Sequence, residues 1–137
     1  MASAVPRLKR RSEFLRIARQ GRKWAAAGLV LQVGRGGGED GTSEATPPIR
    51  VGFTASRKVG NAVARNRVRR RLRAVAEEIL PMHAKPGYDY VIVGRVATVR
   101  RSYAALLADL MIALERLGVR RAPAAGDAPV HDRGTAP

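Results

Sequence analysis

The sequence predicts an α/β fold, a two-layer α+β sandwich with helices packed against one small sheet. Three observations predict it. Tyr103, Leu106, Leu107, Leu110, Met111, Leu114 and Leu117 recur at helical spacing near the end of the chain. Residues 88–94, Tyr-Asp-Tyr-Val-Ile-Val-Gly, are the most strand-like stretch. The elements follow in the order helix, strand, strand, helix, strand, helix, which lays helices on a sheet. At 137 residues and 45% hydrophobic content the chain makes one domain with its own core.

Each element has a local reason. Residues 1–11 are polar and basic and read as a mobile N-terminal arm. Ser12 caps a short helix to about Gln20, with Phe14, Ile17 and Ala18 on one face and Gly21 as its stop. Residues 28–33 form a short apolar strand around Leu29-Val30-Leu31, and residues 34–48, rich in Gly and ending in Pro47-Pro48, form a loop. Residues 50–55 are the next strand, so the two are expected to pair as a hairpin with a long connection. Asn61 caps a helix from Ala62 to about Leu80, where Pro81 is expected to stop it. After the strand at 88–94, Ser102 caps the last helix, Tyr103 to Leu117, and Gly118 ends it. The folded domain is thus expected over 12–120. Residues 121–137, rich in Ala, Pro and Gly, read as a disordered tail.

Composition excludes several chemistries. Without a Cys there is no disulfide framework, thiol nucleophile or Cys-ligated metal. With only His83 and His131, a multi-histidine metal centre is not expected. No run of ~18 apolar residues spans a membrane. The first residues lack the apolar core of a signal peptide, so the expected compartment is the cytoplasm.

The net charge of +15 is unevenly placed. Residues 1–73 carry +14 of it and residues 74–137 only +1. Charge of one sign repels itself unless a polyanion neutralises it, and nucleic acid is the commonest polyanion. No long amphipathic helix with a Trp/Phe/Leu face supports a membrane partner. Only Lys9, Lys23, Lys58 and Lys85 are lysines. Arginine forks grip phosphate bidentately, although a GC-rich genome gives the same bias.

The charge is sharpest between Arg57 and Arg73, with eight basic residues and no acid. On a helix, Val68, Leu72, Val75 and Ile79 share one face, which must dock on the sheet. Arg65, Asn66, Arg69, Arg70 and Arg73 sweep the adjoining arc, and Arg67 and Arg71 cover the back. Arginines at i,i+4 repel by a few tenths of a kcal/mol per pair, unrelieved before Glu77. A solvated face mixes signs; this one does not. Asn66 adds a neutral donor for phosphate or 2′-hydroxyl oxygens.

The stretch Val51-Gly-Phe-Thr-Ala-Ser-Arg-Lys-Val-Gly-Asn-Ala-Val-Ala-Arg-Asn-Arg-Val-Arg-Arg-Arg-Leu-Arg73 resembles the signature of the bacterial ribonuclease P protein subunit, with Arg65-Asn66-Arg67 at its centre. Arg7-Leu8-Lys9 before Glu13-Phe14, and Tyr88-Asp-Tyr-Val-Ile-Val, resemble that family too, so the likeness runs over about 5–118. The resemblance implies a ribosomal-protein-like sandwich, of order α-β-β-(β)-α-β-α, with a left-handed β-α-β crossover. It implies a protein without catalytic residues of its own, assisting an RNA that removes the 5′ leader of precursor tRNA. The partners implied are the ribonuclease P RNA and precursor tRNA, with Mg²⁺ held mainly by the RNA.

Carried over by motif, Arg57, Lys58, Arg65, Asn66, Arg67, Arg69, Arg70 and Arg73 face RNA. Phe14, Ile17, Ala18, Gln32 and Phe53 line a groove for the leader. The family's second aromatic is replaced by Ala18, and Gln32 stands where an aromatic is usual, which implies weaker base stacking. A ribosomal or ribosome-assembly protein is the alternative with the same charge and fold class.

Other signals carry no chemistry. The glycines at 34–41 lack a following Gly-Lys-Ser/Thr and read as a loop rather than a phosphate cradle. Glu77 and Glu78 are adjacent on a helix and do not face each other. His83 reads as a loop residue and Trp24 as packing beside the first strand. A DNA-reading helix needs a partner helix just before it; a strand and turn precede this one, so DNA is not an expected partner.

Overall fold

The computed structural model describes residues 6–35 and 49–121. Its elements are α1 (Arg11–Gln20), β1 (Arg22–Ala25), β2 (Leu29–Arg35), β3 (Arg50–Ala55), α2 (Ala62–His83), β4 (Tyr88–Gly94) and α3 (Tyr103–Arg116). One four-stranded sheet runs β1-β2-β4-β3. The expected hairpin of β2 with β3 does not form. β4 lies between them, antiparallel to β2 and parallel to β3. The reason is burial: Asp89, Tyr90, Val91 and Ile92 are all buried, and a strand that is apolar on both faces belongs at the centre.

The sheet carries helices on both faces, which adds a one-helix layer to the expected two. α2 and α3 cover one face over the main core, which includes Leu29, Leu31, Val51, Phe53, Tyr90 and Ile92. α2 docks through Val68, Leu72, Val75 and Ile79 as its period requires, together with Ala76 and Leu80. α1 lies on the opposite face over a small cluster of Leu8, Ile17 and Val91.

The hand of the crossover follows from one residue. Seen from the α2 side with β3 running upward, Val51 turns its side chain toward the viewer and, as an L-residue, its N–H and C=O to the right. There Leu8 N–H donates to Val51 O and Val51 N–H donates to Pro6 O, each at 2.9 Å. β4 therefore lies to the left, and β3–α2–β4 is left-handed, against the general rule.

Several local expectations are corrected. Residues 6–8 do not belong to a mobile arm: they run beside β3, and Leu8 is buried. α1 starts at Arg11 with Arg10, not Ser12, as its cap, because the Glu13 carboxylate reaches back to the Arg10 N–H. β1 is the additional strand that the order implied by the resemblance allows; hydropathy does not mark it, because all four of its residues are exposed and show no alternation. Pro81 does not stop α2, which continues to His83. Proline removes one N–H, yet the Ala84 N–H still reaches Leu80 O at 3.1 Å. Arg121 is anchored, its N–H donating to His83 O at 2.7 Å. The rest of the expected tail, 122–137, lies outside the described residues, as do loop residues 36–48. Gly34 and Arg35, read as loop, close β2 instead.

Candidate nucleic-acid interface

The basic surface is built from the end of β3 onward. A 3-10 turn at Arg57–Val59 buries Val59 and leaves Arg57 and Lys58 exposed. Gly60 follows at φ 145°, a backbone conformation that side chains disfavour. Asn61 then caps α2, its side-chain oxygen accepting the Ala64 N–H at 2.9 Å. No acid sits in the first turn, so the positive end of the helix dipole adds to the arginine charge.

Along α2, the arginines divide by partner. Arg67, Arg70 and Arg73 are exposed and take part in no ion pair among the described residues. Arg69 donates to the Asn66 side-chain oxygen at 2.9 Å, which holds both beside Val63, Arg70 and Arg73 around a shallow concavity. Arg65 is half-buried and donates to Gly60 O at 2.9 Å, bracing the entry to the helix. Arg71 is different: it donates to Thr98 O at 2.6 Å and to Val99 O at 3.2 Å, and is spent on the fold. Val63, 69% exposed, is an apolar side chain amid this charge that the charge pattern did not reveal.

The groove residues are only partly brought together. Phe14 of α1 rests on Gly52 of β3, where any Cβ would collide with the ring. Ala18 is exposed at the rim, Gln32 is half-buried on the sheet, and Ile17 is buried beneath α1 as its anchor. Phe53 is a correction. It pairs with Ile92 and, like it, points into the main core on the opposite face, with Arg7 over its ring at 5.3 Å. The residue of β3 that shares the face of Gln32 is Thr54. With Val30 of β2 and Val93 of β4, it forms a half-exposed floor. Period-two alternation from Gln32 would have found Val30, and the same rule applied to β3 would have rejected Phe53.

α1 covers the half of this face near Gly34 and Gly52. The open half of the floor leads to the end of the sheet where β3 delivers Arg57 and Lys58. At the covered end lies a polar cluster. Asp89, fully buried, accepts from Arg50 at 3.0 and 2.8 Å and from Arg16 at 2.9 Å. Arg50 also donates to Glu13 at 2.9 Å. The hydrogen bond from Arg50 to Asp89 raises the Arg50 pKa against the effect of burial. Burial pushes the Glu13 carboxyl up, but the Arg50 charge and the Arg10 N–H outweigh it and hold it below its ordinary value.

Among the described residues, no three His, Asp or Glu side chains are placed to hold a metal ion, and no helix is long and apolar enough to cross a membrane. Trp24 lies on β1 and is exposed rather than packed into a core, with Arg116 over its ring at 5.4 Å.

Such a fold and surface define a small RNA-binding protein of the α/β class, which presents one arginine helix and one half-covered sheet face. A model of the Ribonuclease P family matches residues 3–118, and the chain belongs to that protein family. It is 49% identical over 129 residues to the ribonuclease P protein component of Paramagnetospirillum magneticum, covering 94% of this chain and 95% of that one. It is 46% identical over 117 residues to that of Ruegeria pomeroyi, covering 85% and 89%. The fold is shared with the Staphylococcus aureus RNase P protein, at TM-score 0.66 and 23% identity over 84% of this chain and 97% of that one. It is shared too with the protein from Thermotoga maritima, at TM-score 0.62 and 23% identity over 81% and 94%.

Proposed function

We propose that this chain is the RNA-binding subunit of a ribonuclease P that removes the 5′ leader of precursor tRNA in the cytoplasm, and that the chemistry belongs to the RNA subunit. The observation that carries the reading is the one-signed surface of α2, where Arg67, Arg70 and Arg73 have no carboxylate partner among the described residues. Phosphates of the ribonuclease P RNA relieve that repulsion and release counterions. Asn66 and Arg69, joined by their hydrogen bond, add directional contacts. Arg57, Lys58 and Arg65 continue the surface to the mouth of the groove. The floor of Val30, Gln32, Thr54 and Val93, with Phe14 and Ala18 above, takes the single-stranded leader. A groove with one aromatic at its rim packs bases more than it stacks them.

Mg²⁺ at the cleavage site is held by the RNA. The described residues offer it no cluster of three ligands. The protein supplies binding and orientation of the substrate. Reconstitution tests this. With its RNA at low Mg²⁺, adding the protein should raise precursor cleavage strongly, while RNA-free protein should cleave nothing. Cleavage by RNA-free protein, or no gain from adding it, would refute the reading.

A further inference from the structure

α1 has a thin hold on the sheet. Three buried apolar residues, Leu8, Ile17 and Val91, lie beneath it, helped by the half-buried Phe14 and Val93. What joins α1 to the strands beside that cluster is polar. Arg16 of α1 and Arg50 of β3 converge on the carboxylate of Asp89, near the start of the inner strand β4. Arg50 turns a further N–H to Glu13, one turn earlier on α1, at 2.9 Å. Arg16 also donates to Arg35 O at the end of β2, at 2.9 Å. The side chains of Arg16 and Arg50 are 31% and 24% exposed, and that of Asp89 is fully buried.

We infer that Asp89 is the positioning residue of the groove: by holding Arg16 and Arg50 on one carboxylate it sets where α1 stands over the floor, and with it Phe14 and Ala18. Both charges of each sign are used within the cluster, so it is a clamp rather than an open phosphate site. The bidentate grip of Arg50 fixes an orientation as well as a distance. A shift of α1 changes the width of the groove without touching α2, which docks on the other face. Sites held to within a fraction of an ångström depend on such supporting contacts.

The inference rests on the leader reading of the groove. The test is built to separate the two. Wild type, Asp89→Asn and Arg16→Gln are reconstituted with the catalytic RNA and given two precursors, one with a long leader and one with a single leader nucleotide. Arg16→Gln leaves Asp89 its Arg50 partner, so it folds even if Asp89→Asn does not. Arg16→Gln is expected to raise KM for the long-leader precursor about tenfold, as for a displaced binding group. Values of kcat for both precursors, and KM for the short one, stay as in wild type. The slope of binding against salt should also stay as in wild type, because Arg16 grips a carboxylate and not a phosphate. An equal KM effect on both precursors, an unchanged long-leader KM, or a slope shallower by one phosphate contact would overturn the clamp. If wild type itself shows no preference for the long leader, the groove reading fails first.

Discussion

Arg50 and Arg70 lie on opposite sides of one sheet and are held in opposite ways. Arg50 spends its guanidinium on Asp89 and Glu13, both largely buried. Arg70 is exposed on α2 beside Arg69 and Arg73 and has no ion pair among the described residues. The same contrast separates Arg101, locked on Asp109 at 2.6 Å, from Arg67. The lesson is that arginine count alone says little. An arginine whose charge is answered within the chain belongs to the fold, and one left unanswered among like charges stores repulsion that a polyanion relieves.

The contrast breaks if the two sets respond alike to substitution. Asp89→Ala should cost most, because it leaves the partly buried Arg16 without a carboxylate and Arg50 with Glu13 alone. A loss of about 3–5 kcal/mol is expected, read as a lower denaturant midpoint at unchanged slope. The groove can be sharpened in the other direction. Gln32→Tyr places an aromatic on the open floor, and each stacked base is worth about 1–3 kcal/mol. A precursor with a long leader should then bind about tenfold more tightly, and one with a single leader nucleotide should not. Equal gains for both would move the leader away from this face.

Asn61→Ala removes the cap that starts the RNA-facing helix. A cap is worth about 1 kcal/mol. The melting temperature should fall slightly, while the salt dependence of RNA binding stays the same, since Asn61 orders the helix and carries no charge. The smallest effect concerns acid. Glu13 has a depressed pKa in the folded chain, so its stabilising share is complete above the ordinary value of 4.5 and is lost as pH falls below it. Glu13→Gln should flatten the acid limb of stability and leave binding to the catalytic RNA at neutral pH unaltered. A change at neutral pH alone would remove Glu13 from the clamp.

The arginine helix was legible in the sequence because its signal is local. Val68, Leu72, Val75 and Ile79 fix its buried face, and Asn61 fixes its start. The sheet order was not legible. Nothing within β2 or β3 announces that β4 will come between them; that depends on which strand can be buried on both faces, a property of the whole sheet. The groove was half legible for the same reason. Phe14 and Gln32 share the face of the sheet that carries α1, but Phe53, the aromatic of β3, has the parity of Val51 and points into the core. Thr54 carries no such signal until the register is known. In the sequence, Asp89 is one charged residue in a strand-like stretch. Only the fold brings Arg16 and Arg50 to it from 73 and 39 residues away.

The central claim is that the unanswered arginines of α2 are the RNA surface. The most direct measurement is the slope of log K against log salt for binding to the catalytic RNA, compared between wild type and an Arg67→Ala, Arg70→Ala, Arg73→Ala triple variant. Each lost phosphate contact flattens the slope by about 0.7–0.9, so the triple variant should be shallower by roughly 2, with its melting temperature nearly unchanged. A slope equal to that of wild type would contradict the account and place the RNA elsewhere on the molecule.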